Sequence, residues 1–245
     1  MGYAPNNCLL VVVGDVTSAR AMALARKHFE AIPPHSLPPS VEPREPKHEQ
    51  ERSVVVSRSA QLAAAMFAYH VPASKHPDYA AIQILGAILA EGHSSRLYQA
   101  LVDRGQLANS VSWSQLFSLD PRALTFGVEA RRGADLGTLE HAFLSELDRI
   151  AVEDASAEEP ARARTQLTTN LYRGLRTLAG KADTIGKYEI YFGNFRKLFS
   201  LSGELSRVSA ADVRRVARTY LAAANRTVAL LVPGLPGDQA QESSE

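Results

Sequence analysis

Residues 71–113 constrain the fold more than any other part of this 245-residue chain, because two helical patterns there lead into an alternating strand. Pro77 suits the first turn of a helix, where its fixed φ and missing amide are tolerated. The residues that follow are apolar around the whole helix axis, namely Ala80, Ala81, Ile82, Ile84, Leu85, Ala87, Ile88 and Leu89. A helix without a polar face is predicted to be buried on most of its sides.

The second helix of this stretch starts at Ser94 or Ser95, and residues 107–117 then alternate with the period of a strand. One face is predicted to carry Leu107, Val111, Trp113 and Phe117, and the other Ala108, Ser110, Ser112 and Ser114. Asp120 and Pro121 indicate a turn. The strand that returns from this turn has a predicted inner face of Leu124, Phe126, Val128 and Ala130.

Strands and helices alternate along the rest of the sequence. Strands are predicted at residues 53–59, 62–71 and 227–232, and helices near residues 136–150, 157–178, 181–192 and 210–221. Paired strands joined by tight turns, with helices between the pairs, favour antiparallel pairing. The predicted fold class is therefore α+β, with a mostly antiparallel sheet covered by helices.

The composition is that of a globular protein and argues against several functions. Hydrophobic residues make up 45% of the chain, charged residues 22%, and the formal net charge is +1. The near-neutral charge and the lack of basic runs argue against nucleic-acid binding. No apolar run approaches the ~20 residues of a membrane-spanning helix. We expect a soluble protein, but the single cysteine, Cys8, predicted to be a buried thiol, does not decide between bacterial cytoplasm and periplasm.

The chain divides into four predicted segments. Residues 1–32 hold an apolar run at residues 8–16, predicted to be a buried strand, and a helix. Residues 33–52 are rich in proline and charge, which is typical of an extended linker. Residues 53–233 form the main domain, and residues 234–245 form a polar tail that is predicted to be disordered.

The two ends of the chain resemble each other. Residues 3–14 and 220–234 both read as a tyrosine, a short gap, an asparagine, an apolar strand and a glycine. The simple interpretation is a duplicated unit, in which residues 1–32 are the terminal strand and helix of a preceding homologous half. Coincidence is the alternative, since an asparagine before a strand is common.

No local motif in the sequence indicates catalysis or a metal site. The seven histidines include no pair with helical metal-ligand spacing, and His-x-x-Glu-His is absent. His48 and Glu49 imitate the start of His-Glu-x-x-His, but Arg52 stands where its second histidine should be. We therefore predict no catalytic residue, no metal ligand and no cofactor in this chain.

Several segments resemble the pitrilysin/insulinase-type zinc metallopeptidases, the inverzincins that include the mitochondrial processing peptidases. The most specific segment is SSRLYQAL at residues 94–101, which is followed by the strand sequence QLANSVSW. YAPNN-CLLVVVGDV looks like the end of a zinc-bearing half, and VPASKHPDYAA, GKYEIYFGN and VSAADVRRVARTYL match in the right order. The resemblance covers residues 3–233 and is to the C-terminal, non-catalytic half of these enzymes.

The resemblance implies a processing-peptidase-like half domain that closes a peptide-binding chamber opposite the zinc site and is inactive alone. Zinc is expected in the N-terminal half, not in this chain. The implied partners are a homologous zinc-bearing half or subunit and a peptide substrate, with a homodimer as a further expected assembly. Whether the whole protein is an enzyme stays open, because the alternative is a non-enzymatic structural or assembly subunit with the same fold.

Many non-catalytic halves of the family carry an arginine after SSRLYQ-like residues and a tyrosine seven positions later, and this pair grips substrate. Val102 and Asn109 occupy those positions here, so the pair is lost, and Arg104 is two residues out of register. The resemblance implies substrate contact at Val102 and Asn109. Asn109 is predicted on the strand face of Val111 and Trp113, where a polar group of the chamber wall without substrate contact is the alternative.

Overall fold

One five-stranded sheet organises the molecule, which a computed structural model describes at residues 4–37, 39 and 49–234. Its strands are β1 Arg52–Arg58, β2 Ala64–Val71, β3 Ala108–Ser114, β4 Arg122–Ala130 and β5 Arg226–Pro233. They lie in the order β1–β5–β2–β4–β3, and only the β1–β5 pair is parallel. The predicted α+β fold with a mostly antiparallel sheet is confirmed.

Helices make up most of the remaining described chain. They are α1 Ser18–Phe29, α2 Tyr79–Ala90, a π-helix Tyr98–Arg104, α3 Leu136–Val152, α4 Glu158–Gly174, α5 Leu178–Phe192, α6 Lys197–Ser206 and α7 Ala210–Tyr220. Of the helices in the described ranges, none has both the length and the apolar character needed to cross a membrane. Short 3₁₀ turns at Pro5–Asn7 and Ala223–Asn225 precede residues 8–16 and β5, respectively.

The chain forms two compact units. One unit combines the described part of Met1–Glu45 with Thr169–Ser200, and it contains α1 and α5. The other combines the described parts of Pro46–Thr168 and Leu201–Glu245. The second unit contains the complete sheet together with α2, the π-helix, α3 and α7.

The core of the second unit lies between one face of the sheet and its helices. α2 is buried along its whole length except at Gln83, as its all-apolar pattern predicts. The ring of Phe143 on α3 stacks on Phe67 of β2 with centroids 3.8 Å apart. Alternate residues of β2 and β4 point into this core: Ala65, Phe67, Tyr69, Val71, Leu124, Phe126, Val128 and Ala130. The intervening side chains, such as that of the exposed Met66, point to the opposite face of the sheet.

The prediction of a buried strand at residues 8–16 is wrong. This segment pairs with no strand of the described sheet, and Cys8 is exposed rather than a buried thiol. A strand forms only where a neighbouring strand satisfies its backbone hydrogen bonds. Val11 instead lies beside α5, where a Cβ on Gly186 would be 3.5 Å from Val11 Cγ2. The exposed apolar side chains of the segment are Leu9, Leu10, Val12 and Val16.

The helical segment predicted at residues 157–178 is interrupted by a turn at residues 175–177. α4 ends at Gly174, and Leu178 already belongs to α5, which Thr177 caps by accepting a hydrogen bond from the Gly180 amide at 3.0 Å. A Cβ on Gly180 would lie 1.9 Å from the Gly174 carbonyl oxygen, so only glycine permits this approach. The helix α6 was not predicted, although Leu198, Leu201 and Leu205 stand at helical spacing along it.

The predicted linker and tail fall mostly outside the described residues. Of residues 33–52, the structure describes 33–37, 39 and 49–52, and Arg52 already opens β1. Of the tail at residues 234–245, only Gly234 is described; its amide donates to the Arg58 carbonyl at 2.9 Å.

Candidate functional site

The sheet face opposite the helices carries a groove of ≈ 500 Å³. Strand pairing places two rows of side chains across this face, Val56–Leu231–Ala64–Glu129–Ser110 and Val54–Ala229–Met66–Gly127–Ser112. All of these residues except Val54 line the groove. Alanine, glycine and serine dominate its centre, so another chain can approach the sheet closely there.

One end of the groove is apolar and the other is polar. Val56 and Leu231 supply aliphatic side chains at the first end, and Met66, 51% exposed, lies on the floor. Ser110 of the edge strand β3 and Glu129 of β4 form the polar end. Among the described residues that line the groove, Glu129 is the one with a charged side chain. The groove therefore suits a ligand that is apolar at one point and polar or cationic at another.

Asn109 lies beside the polar end at a β-bulge. Ala108 pairs with Ala130 and Ser110 with Glu129, so Asn109 is the extra residue of β3. Its side chain is exposed, and Nδ2 donates to Glu129 Oε1 at 3.2 Å and to the Ala130 carbonyl at 3.4 Å. The structure thus brings one predicted site residue to the carboxylate of the groove.

The bulge also corrects the predicted faces of β3. Simple alternation places Asn109 with Val111 and Trp113 and places Ala108 on the opposite face. An inserted residue shifts the register by one, so the buried Ala108 shares the core face with Val111 and Trp113. Asn109 instead contacts Glu129, whose side chain belongs to the open face.

Val102, the other predicted site residue, does not reach the groove. It lies in the π-helix, is half-buried and packs against the core. In this helix Gly105 N donates to Ala100 O at 2.9 Å, a bond that spans five residues and alters which side chains share a face. Arg104 is exposed and lies 3.9 Å from Glu146. Contact of Val102 or Asn109 with a substrate stays a prediction.

The position of β3 depends on a close packing of Trp113 against α2. The indole Nε1 donates to Glu91 Oε2 at 2.6 Å, and the Gln83 amide donates to Gln115 Oε1 at 2.7 Å. A Cβ on Gly86 would lie 2.3 Å from Trp113 Cε3. Any larger residue at position 86 must therefore displace the ring and, with it, the strand that forms the polar edge of the groove.

An ionic cluster joins the start of α2 to α7. The Asp78 carboxylate accepts hydrogen bonds from Arg215 Nη2 at 2.6 Å and from Tyr220 Oη at 2.8 Å. The bonds from Arg215 are the main cause that holds the pKa of Asp78 below its usual range. Burial and the neighbouring carboxylate raise the pKa of Tyr220 to about 12. The cluster stays charged at neutral pH and fixes two helices of the core layer.

The arginine of SSRLYQAL has a structural role in this half. Arg96 forms a bidentate ion pair with Glu159, with Nε–Oε1 and Nη2–Oε2 distances of 2.6 and 2.9 Å. Glu159 also accepts from the Ser156 amide at 2.8 Å, just before α4 begins. Burial acts to raise the pKa of Glu159, but the hydrogen bonds from Arg96 and Ser156 lower it overall.

The described residues do not fit a zinc ion, which the family resemblance places in the other half. In the ranges 4–37, 39 and 49–234, no group of three or more His, Cys, Asp or Glu side chains could hold a metal ion. His48, which begins the imitation of a zinc motif, lies outside these ranges.

Sequence reasoning missed Glu129 and Gly127 as groove residues. The signal was present, because an inner face at Leu124, Phe126 and Val128 places the intervening residues of the strand on the outer face. The proximity of Glu129 to Asn109 was not predictable, since it depends on the bulge in β3.

Known proteins similar to this chain include bacterial and mitochondrial peptidases. The zinc protease PqqE of Helicobacter pylori is 25% identical over 234 residues, which cover 94% of this chain and 52% of that protein. Mitochondrial-processing peptidase subunit beta of Lentinula edodes is 25% identical over 232 residues, which cover 89% of this chain and 49% of that protein. The chain spans about half the length of these relatives.

Solved structures share the fold. A protease from Helicobacter pylori matches with a TM-score of 0.82 at 24% identity, over 90% of this chain and 54% of that chain. A peptidase M16 inactive domain from Pseudomonas fluorescens matches with a TM-score of 0.77 at 18% identity, over 93% and 54%. The sequence pattern of the peptidase M16 inactive domain matches residues 2–167, more than half of the chain. The chain therefore belongs to the peptidase M16 inactive-domain family.

Proposed function

We propose that this chain is the metal-free C-terminal half of a zinc metalloendopeptidase and forms the wall of a peptide-binding chamber opposite a zinc-bearing half. The observation that carries the proposal is an open groove on the sheet of an M16 inactive domain. Its floor of small side chains can accept an extended peptide that crosses the strands.

The zinc-bearing half supplies bond cleavage in this proposal, either earlier in the same polypeptide or as a separate subunit. Two relatives of about twice the matched length support it, because they are a zinc protease and a processing-peptidase subunit. Loss of the arginine–tyrosine pair at Val102 and Asn109 is compatible with a partner subunit that carries the pair.

We also propose that residues 1–32 are the terminal strand and helix of a preceding homologous half. In the 3₁₀ turn before residues 8–16, Asn7 N donates to Ala4 O at 2.9 Å. In the turn before β5, Asn225 N donates to Ala222 O, also at 2.9 Å. β5 lies between two strands, so residues 8–13, apolar on both faces, would take the same central place in the preceding half.

A non-enzymatic assembly subunit is the second candidate function. One observation favours it: cytochrome b-c1 complex subunit 1 of Caenorhabditis elegans is 42% identical over 60 residues, which cover 24% of this chain and 13% of that protein. An assembly subunit would bind a partner without contributing to peptide cleavage.

Complementation tests these alternatives. The purified chain is mixed with a zinc-bearing M16 half from the same genome, and cleavage of a fluorogenic peptide is followed. We expect cleavage in the mixture that neither component shows alone. Met66→Glu, which places a charge on the groove floor, should reduce cleavage, whereas Val152→Glu, at a 75% exposed site on α3, should not. Stable association without cleavage favours the assembly subunit, and no association contradicts both functions.

A further inference from the structure

A hydrogen bond orients the Glu129 carboxylate, but no cationic side chain of the described residues neutralises its charge. Asn109 Nδ2 donates to Oε1 at 3.2 Å, and no Lys or Arg in the described part of the chain forms an ion pair with Glu129. The side chain is exposed and lines the groove. One carboxylate oxygen is thus held by the amide of the bulge residue while the other can accept a hydrogen bond from a ligand.

The aliphatic end of the same row lies at a fixed distance from this carboxylate. Leu231 pairs with Ala64, and Ala64 pairs with Glu129, so the two long side chains are separated by one strand with a methyl side chain. Neighbouring strands are ~4.8 Å apart, which puts the Leu231 and Glu129 backbones ~9.6 Å apart. Only the methyl group of Ala64 stands between the two side chains, so a peptide backbone can cross the strands there.

An extended peptide matches this spacing. Side chains two residues apart lie on the same side of an extended chain, separated by ~7 Å. The length and flexibility of a lysine or arginine side chain cover the remaining distance to Glu129. A leucine-like side chain of the peptide can meanwhile contact Leu231 and Val56, which adjoin each other on β5 and β1.

We propose that the groove selects extended peptides in which a basic side chain lies two residues from an aliphatic one, with Glu129 binding the cation and Asn109 positioning the carboxylate. This inference rests on the proposed function and adds a charge preference to it. The Glu129 site is solvated, so the pairing should contribute about a threefold gain in affinity. The gain should decline as ionic strength rises.

Fluorescence anisotropy with the full 245-residue chain tests the preference. The probes are fluorescein-labelled Gly/Ser peptides with one leucine and, two residues later, lysine, norleucine or glutamate. We expect the lysine peptide to bind about three times more tightly than the norleucine peptide. Glu129→Gln should make these two peptides equal, and Glu129→Lys should favour the glutamate peptide. Asn109→Ala should reduce the lysine preference without weakening the norleucine peptide.

Asp148→Asn is the matched control, because it removes the same charge from an exposed position on α3, which packs on the opposite face of the sheet. It should leave the lysine preference unchanged. The inference is overturned by equal binding of the lysine and norleucine peptides, by a preference that survives Glu129→Gln, or by absence of binding of every peptide. Cleavage without a charge preference in the complementation mixture overturns this inference alone, whereas absence of cleavage overturns the proposed function.

Discussion

Gly86 illustrates how a single residue positions an edge strand. It has no side chain to separate α2 from the ring of Trp113, and Trp113 in turn donates its Nε1 hydrogen to Glu91 at the end of that helix. The groove lies on the other face of β3, so a contact in the core determines where Ser110 and Ser112 stand.

Gly86→Ala should destabilise the protein by about 1–3 kcal/mol, because overpacking displaces the Trp113 ring. The control is Gly203→Ala in α6, where a new Cβ meets no atom within 4 Å and should be neutral or slightly stabilising. Urea unfolding monitored by far-UV circular dichroism measures both free energies. Equal stability of the two variants would show that the ring does not require the glycine.

Asp78→Asn should cost about 1–2 kcal/mol at pH 7, because Arg215 and Tyr220 lose hydrogen bonds to a charged partner. The folded-state pKa of Asp78 is lowered, so its contribution is complete above the unfolded-state pKa of about 3.9. The contribution is lost as the pH falls through the folded-state pKa. Urea unfolding from pH 7 to pH 3 should show the wild-type advantage shrinking, and an advantage independent of pH would contradict this account.

Residues 8–16 and β5 show that an apolar segment becomes a strand only where other strands pair with it. Both segments are apolar runs that follow a 3₁₀ turn, but β5 lies between β1 and β2, whereas the first segment has no pairing strand within the described ranges. Local sequence specified the 3₁₀ turn in both places. Strand formation depended on partners.

Hydrogen–deuterium exchange should distinguish the two elements. Backbone amides of residues 8–13 should exchange rapidly in the chain alone, while those of β5 should be protected by ladder bonds on both sides. Addition of a zinc-bearing half should slow exchange at residues 8–13 if they complete its sheet. Strong protection of residues 8–13 in the isolated chain would contradict the proposed place of this segment.

Hydrophobic patterning predicted the regular elements, both the two-faced β4 and α3 and the uniformly apolar α2. The inner residues of β4, the buried α2 and the apolar stripe of α3 at Leu139, Phe143 and Leu147 are where alternation and helical spacing place them. Backbone irregularities were not predictable: the bulge at Asn109 and the π-helix around Val102 both change which side chains share a face. The alternation of β4 places Glu129 on the outer face, but its contact with Asn109 depends on the bulge and could not be predicted. Asn109 was named by resemblance alone, and its contact with a substrate stays a prediction.

At the scale of the whole molecule, the proposal that a zinc-bearing half docks on this chain implies that the isolated chain exposes a surface which that half would cover. Exposed apolar residues concentrate in the first unit, where Leu9, Leu10, Val12, Met22 and Phe29 are all more than two-fifths exposed. Apolar surface of this kind is typical of a contact region.

The isolated chain should therefore self-associate as its concentration rises. Leu10→Lys should shift the equilibrium toward monomer, and Val152→Lys, an equally drastic change at a 75% exposed position of the second unit, should not. Multi-angle light scattering across a concentration series gives the mass. A monomer at every concentration would count against an uncovered contact region.

Zinc content and peptidase activity, measured on the same purified chain, test whether this chain is the metal-free half. Metal analysis after dialysis against zinc should find no stoichiometric ion, and a fluorogenic peptide should remain uncleaved. One equivalent of bound zinc together with cleavage that a chelator abolishes would contradict the assignment of this chain as the metal-free half.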